Sequence, residues 1–182
     1  MPRRWITLFA IGVAATAITA CGAPGAQSAP TNAAGSASHA AAGNSTHVPE
    51  QLQFTAKTIG GQTFSGTSLA GKPAVLWFWT PWCPTCQHEA PIFGNVAAAN
   101  STVTFVGVGA QEQASAMQAF VDKYQLGSTT QLADSEGTVW SKFGVTQQPA
   151  WAFVGADGKV DVVKGTLSAQ ELTERVNELA GR

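Results

Sequence analysis

The chain has 182 residues, is 45% hydrophobic and 12% charged, and carries a formal net charge of −1. That is enough for one domain with a packed core and marginal for two. There is no basic block and no Lys/Arg stripe, which excludes nucleic acid as a partner.

The N-terminus reads as an export signal. Arg3 and Arg4 form a short positive region, and Ile6 to Ala20 is an uncharged stretch of 15 residues. A helix spanning ~30 Å of hydrocarbon needs about 20 residues, so this stretch is short for a permanent anchor and right for a signal core. The general secretory route fits it better than twin-arginine export, because the residues after the Arg pair do not suit the latter. The stretch ends in Ile18-Thr19-Ala20-Cys21-Gly22, which resembles a bacterial lipobox. The resemblance implies cleavage before Cys21, lipidation of that cysteine and attachment to the outer face of the cell membrane. In that case 1–20 is a lipoprotein signal peptide. The alternative is an ordinary signal peptide with an incidental Cys21.

Residues 21–49 form a linker, since from 22 onward they are nearly all Ala, Gly, Ser, Thr, Asn and Pro, with no charge before Glu50 and no large apolar residue before Val48. Such a segment cannot bury enough surface to offset the entropy of ordering it. At 5–6 Å × √n it reaches ~30 Å from the anchor. His39 and His47 fall here and are read as solvated rather than metal-binding.

Residues 50–182 carry the periodic patterns of a folded domain. Leu52 to Thr58 and Gln62 to Phe64, around Gly60-Gly61, predict an N-terminal hairpin. Ala74 to Trp79 is a continuous apolar run, expected of a central strand buried on both faces. A helix is predicted from the cysteines to Ala99, kinked at Pro91. Val103 to Val108 predicts a second buried strand and Ala114 to Tyr124 an amphipathic helix. Thr138 to Phe143 predicts a short helix, and Ala150 to Val154 with Val160 to Lys164 a hairpin turning at Ala156-Asp157-Gly158-Lys159. Ser168 is placed to cap a last helix, with Glu171 in the capping-box position. The resulting order is β-α-β-α-β-β-α after an N-terminal extension.

The chemistry concentrates in Trp79-Thr80-Pro81-Trp82-Cys83-Pro84-Thr85-Cys86, where the buried strand gives way to the helix. Cys83 falls at the helix N-terminus, where unpaired N–H groups and the helix dipole favour a sulfur anion. Pro84 suits the first turn because its missing N–H is not needed there. Cys86 lies one turn on, within reach of a small disulfide ring. Cys83, as the exposed member, would react with a partner, and Cys86 or a partner thiol would resolve the mixed disulfide. A zinc site would need four ligands, and only His88 is near, so no metal is expected. A purely structural disulfide is the other reading, but so short a loop constrains the unfolded chain little.

These motifs, with Gly144-Val145-Thr146-Gln147-Gln148-Pro149-Ala150-Trp151-Ala152-Phe153-Val154 downstream, resemble the thioredoxin superfamily over nearly all of 50–182. The fold implied is α/β, a mixed central sheet flanked by helices. Cys83 to Pro91 resembles the extracytoplasmic TlpA, ResA and CcmG (DsbE) branch, in which a glutamate stands three residues after the second cysteine; here that is Glu89. The lipobox, linker and Gln-Gln-Pro segment are most similar to mycobacterial DsbF-type lipoproteins.

The resemblance implies roles. Pro149 matches a cis-proline that faces the cysteines, and the backbone of Gln148 would pair with an extended substrate segment. Trp82 would shape the contact surface, while Trp77 and Trp79 are read as core. Glu89, partly buried with a raised pKa, would exchange a proton with Cys86. Thioredoxin has a buried aspartate where this chain has Trp77, so a proton path would fall to Glu89. The activity implied is extracytoplasmic thiol–disulfide exchange with no cofactor beyond the reversible Cys83–Cys86 disulfide. Its partners would be exported protein thiols or disulfides and a membrane redox protein. The direction expected is oxidation of exported thiols; reduction of apocytochrome c cysteines is the alternative, and Pro84-Thr85 does not decide between them. A peroxiredoxin would match Thr80 three before Cys83, but this chain lacks the matching proline, having Leu76 there. A copper carrier would need a distal histidine, and none follows His88. A monomer is expected.

Overall fold

The structure, a computed structural model, describes residues 48–181. The expected signal peptide, the Cys21 lipidation site, His39, His47 and the linker up to residue 47 lie outside the described residues.

The element order is a 3-10 turn (Glu50–Leu52), β1 (Thr55–Lys57), β2 (Thr63–Ser65), a 3-10 turn (Gly66–Leu69), β3 (Ala74–Trp79), α1 (Pro84–Ala99), β4 (Thr104–Ala110), α2 (Ala114–Lys123), β5 (Thr130–Asp134), α3 (Thr138–Lys142), β6 (Ala150–Val154), β7 (Val160–Lys164) and α4 (Ala169–Leu179). The main sheet has the order β5-β4-β3-β6-β7. β3 runs parallel to β4 and antiparallel to β6, so it is central. This is the thioredoxin fold, with the N-terminal hairpin β1–β2 set as a separate antiparallel pair. A single bridge, Thr58 to Leu132, ties the hairpin to β5.

The apolar run of β3 is explained by its two buried faces. Side chains alternate along a strand. Val75, Trp77 and Trp79 enter one core with Phe93 of α1, Met117 and Phe120 of α2, and Leu172 and Val176 of α4. Ala74, Leu76 and Phe78 enter the other, with Leu52, Leu69, Val139 and Trp140. The first core is built on stacked rings: Trp77 lies 5.8 Å from Trp79, 5.1 Å from Phe93 and 5.8 Å from Trp151. Gly109 of β4 admits this stack, since a β-carbon there would come within 3.0 Å of the Trp79 indole.

The structure corrects the sequence reading of the strands in two places. β5 was not expected: Thr130-Gln131-Leu132-Ala133-Asp134 is short and mixed in polarity, yet pairs with β4 along its length. The first hairpin strand begins at Thr55 rather than Leu52, because Glu50–Leu52 coils into a 3-10 turn that buries Leu52.

Candidate active site

The parallel strands β3 and β4 end together, with Trp79 opposite Gly109, and β6 begins with Ala150 opposite Phe78. The segment after β3 and the Gln148-Pro149 bond before β6 therefore share one end of the sheet. That bond is cis, as expected.

Cys83 is the N-cap of α1 and Pro84 opens its first turn. The backbone N–H of Cys86 donates to Cys83 Sγ at 3.2 Å, so one of the unpaired donors of the helix start points at that sulfur. Cys83 N–H donates to Thr80 O at 3.3 Å, and the Gln87 side-chain amide donates to Pro81 O at 3.0 Å, which together hold the turn into the helix. Both thiols are free. Cys83 was expected to be exposed; it is 5% accessible, against 0% for Cys86. It is thus the more accessible member of the pair, though only slightly. Trp82 beside it is 51% exposed, the one large hydrophobic side chain so exposed among the described residues. Thr80 is buried, and its hydroxyl has no protein partner among the described residues.

Burial pushes the Cys86 thiol above the ordinary thiol range, reinforced by its hydrogen bond with Cys83 and by the negative charges of Cys83 and Glu89; the Thr80 backbone pulls the other way. Glu89, one turn further along α1, is 2% exposed rather than partly buried. Its Oε2 accepts from Trp77 Nε1 at 3.1 Å and its Oε1 from the Leu167 backbone N–H at 3.0 Å. Burial raises its pKa to about 7, while the Leu167 and Trp77 hydrogen bonds favour the anion and limit the rise; the Trp151 indole is beside it, but its Nε1 makes no hydrogen bond among the described residues. Trp77 is therefore a core residue that also touches the site. Leu167 and Trp151 were not foreseen, because a backbone donor 78 residues away leaves no mark in a local pattern.

His88 is exposed, and no group of three or more His, Cys, Asp or Glu side chains that could hold a metal occurs among the described residues. No helix among them is long and apolar enough to cross a membrane. Two cysteines at a helix start, with a buried carboxyl that titrates near neutrality one turn on, can exchange disulfides and move the accompanying proton.

Known proteins share this arrangement of sequence and fold. Residues 47–163 match the AhpC/TSA family model. The chain is 51% identical over 133 residues to the soluble secreted antigen MPT53 of Mycobacterium tuberculosis, covering 71% of this chain and 76% of that protein. It is 28% identical over 131 residues to sporulation thiol-disulfide oxidoreductase A of Bacillus subtilis, covering 69% and 78%. Among solved structures it is similar to MTB DsbF in its mixed oxidized and reduced forms, with 63% identity and a TM-score of 0.72, covering 72% of this chain and 98% of that one. It is also similar to a secreted Mycobacterium tuberculosis disulfide oxidoreductase homologous to E. coli DsbE, with 51% identity and a TM-score of 0.69, covering 71% and 98%.

Proposed function

Since the chain belongs to the AhpC/TSA family and is a thiol–disulfide oxidoreductase of the DsbE, DsbF and ResA type, we propose that it oxidises thiols of exported proteins through a reversible Cys83–Cys86 disulfide. The observation that carries the direction is the Cys86 N–H aimed at Cys83 Sγ at the start of α1. That donor reaches a sulfur no longer bonded to Cys86, so it favours the reduced pair, and a pair stabilised when reduced is a good oxidant.

The steps follow from the two sulfurs. A substrate thiolate attacks Cys83 Sγ; the Cys83–Cys86 bond breaks and Cys86 leaves. Cys86, whose thiol form is favoured by burial, takes a proton from Glu89, which is close to half-protonated at neutral pH. A second substrate thiolate then attacks the substrate sulfur of the mixed disulfide, releasing Cys83 as thiolate and the substrate as a disulfide. Two electrons have moved from substrate to enzyme, and a membrane redox partner takes them on. The backbone of Gln148 and the exposed Trp82 hold the substrate segment across the cysteines, as a strand adds to an edge. Cys21 carries a lipid that keeps the domain at the extracytoplasmic face of the membrane.

The test is oxidative folding of a reduced, denatured disulfide protein by the oxidised chain. Stoichiometric transfer of disulfides, lost in Cys83→Ser, supports the reading. Reduction of a cysteine-pair apocytochrome peptide by the reduced chain, with no disulfide transfer in the other direction, would replace it.

A further inference from the structure

The carboxylate of Glu89 is held by donors from two separate parts of the chain. The first is the Trp77 indole. Its ring is fully buried and packed against four others, inclined 26° to Trp79, 27° to Phe93, 28° to Trp151 and 42° to Phe120. Those contacts fix the ring plane and so fix where Nε1–H points. Packing alone does not demand an indole N–H here: the Trp79 Nε1 in the same stack is buried with no partner among the described residues. A phenylalanine would fill most of the space, but only an indole supplies the donor. The second donor, Leu167 N–H, comes from the residue just before the Ser168 N-cap of α4, where a complete capping box pins the backbone.

We propose that Trp77 is a positioning residue for the redox reaction: its indole N–H, paired with the Leu167 backbone N–H, fixes the orientation of the Glu89 carboxylate and stabilises its anion in a buried site. The proposal rests on the reading of Glu89 as the proton carrier for Cys86. Without these donors a carboxyl so buried would stay neutral well above pH 7, holding its proton rather than giving it up. Paired with them, it works in both directions of exchange. The surroundings leave few other controls. The titratable group acting with Glu89 is Cys86 on its own helix; β3 and β6 present the Trp77 and Trp151 indoles and the segment before α4 presents a backbone N–H. No other charged side chain contributes to its shift.

The experiment is a carboxyl ¹³C titration of Glu89 in the full chain, reduced, for the natural protein and Trp77→Phe. Removing a hydrogen bond to a charged group should raise the Glu89 midpoint by about one pH unit, tenfold in its dissociation constant. A folded Trp77→Phe whose Glu89 midpoint is unmoved overturns the proposal. Should that variant not fold, the Trp77 indole ¹H–¹⁵N resonance of the natural protein decides: it must move with the Glu89 midpoint and stop moving in Glu89→Gln, and an indole indifferent to Glu89 overturns the proposal. The proton-carrier reading fails separately, if Glu89→Gln exchanges disulfides at the natural rate and with the natural pH profile.

Discussion

Cys86 presents its backbone N–H to Cys83 Sγ at 3.2 Å while its own sulfur is fully buried. The two cysteines are thereby unequal: one can be reached and accepts a backbone hydrogen bond, the other is hidden and held as a thiol by burial. Cys86→Ser should therefore accumulate a stable mixed disulfide at Cys83 when mixed with glutathione disulfide, seen by mass spectrometry without reductant. Cys83→Ser should give no adduct, because the remaining sulfur is out of reach. Both should lose at least a hundredfold in disulfide transfer.

Glu89 predicts an unusual dependence of stability on pH. Its folded pKa of about 7 lies above the ordinary 4.5, so the native state binds more protons than the unfolded state between those values. Stability contributed by the protonated form is present below pH 4.5 and is lost as pH rises toward and through 7, amounting to roughly 3 kcal/mol. Asp134, also raised by burial, adds to the same trend. Denaturant melts at pH 5 and pH 8 should show the loss in the natural protein and a much smaller one in Glu89→Gln, whose Asp134 is unchanged.

Trp82 is half exposed and packs little, so Trp82→Ala should alter stability by less than ~0.5 kcal/mol. Its effect should fall on substrate contact instead. Steady-state kinetics with an unfolded protein substrate should show a several-fold rise in KM, with the rate against a small disulfide such as glutathione nearly unchanged.

The capping box of α4 reaches the site through one residue. Ser168→Ala removes a cap and should cost about 1 kcal/mol. Because Leu167 N–H precedes that cap and donates to Glu89, the variant should also raise the Glu89 midpoint, whereas removing the Asp161–Arg175 ion pair with Asp161→Asn should not. Carboxyl titrations of the two variants make the comparison.

Much of this arrangement was legible in the sequence, for local reasons. Ala74 to Trp79 is apolar at every position because both faces of β3 are covered, and the observed strand has those bounds. Cys83 as N-cap followed by Pro84 and the Ser168–Glu171 box are likewise written within a few residues, whereas the cis bond at Pro149 was legible only through the resemblance to the thioredoxin superfamily. β5 was missed because five residues with a Thr-Gln start carry little strand signal, and only pairing with β4 defines them. The environment of Glu89 was missed in part for a different reason. Its neutral-range titration depends on burial and on Trp77 and Leu167, which come together only when α1, β3 and the start of α4 pack. The accessibility of Cys83 was overestimated because a helix start says where a sulfur sits, not how closely the flanking loop covers it.

The central claim is that the Cys83–Cys86 pair is an oxidant, and its reduction potential, measured on the full chain by equilibration against glutathione, tests that most directly. A value between about −120 and −200 mV, in the range of DsbA and protein disulfide isomerase, is the result expected. A value near or below about −270 mV, like that of thioredoxin, would contradict it and make the chain a reductant.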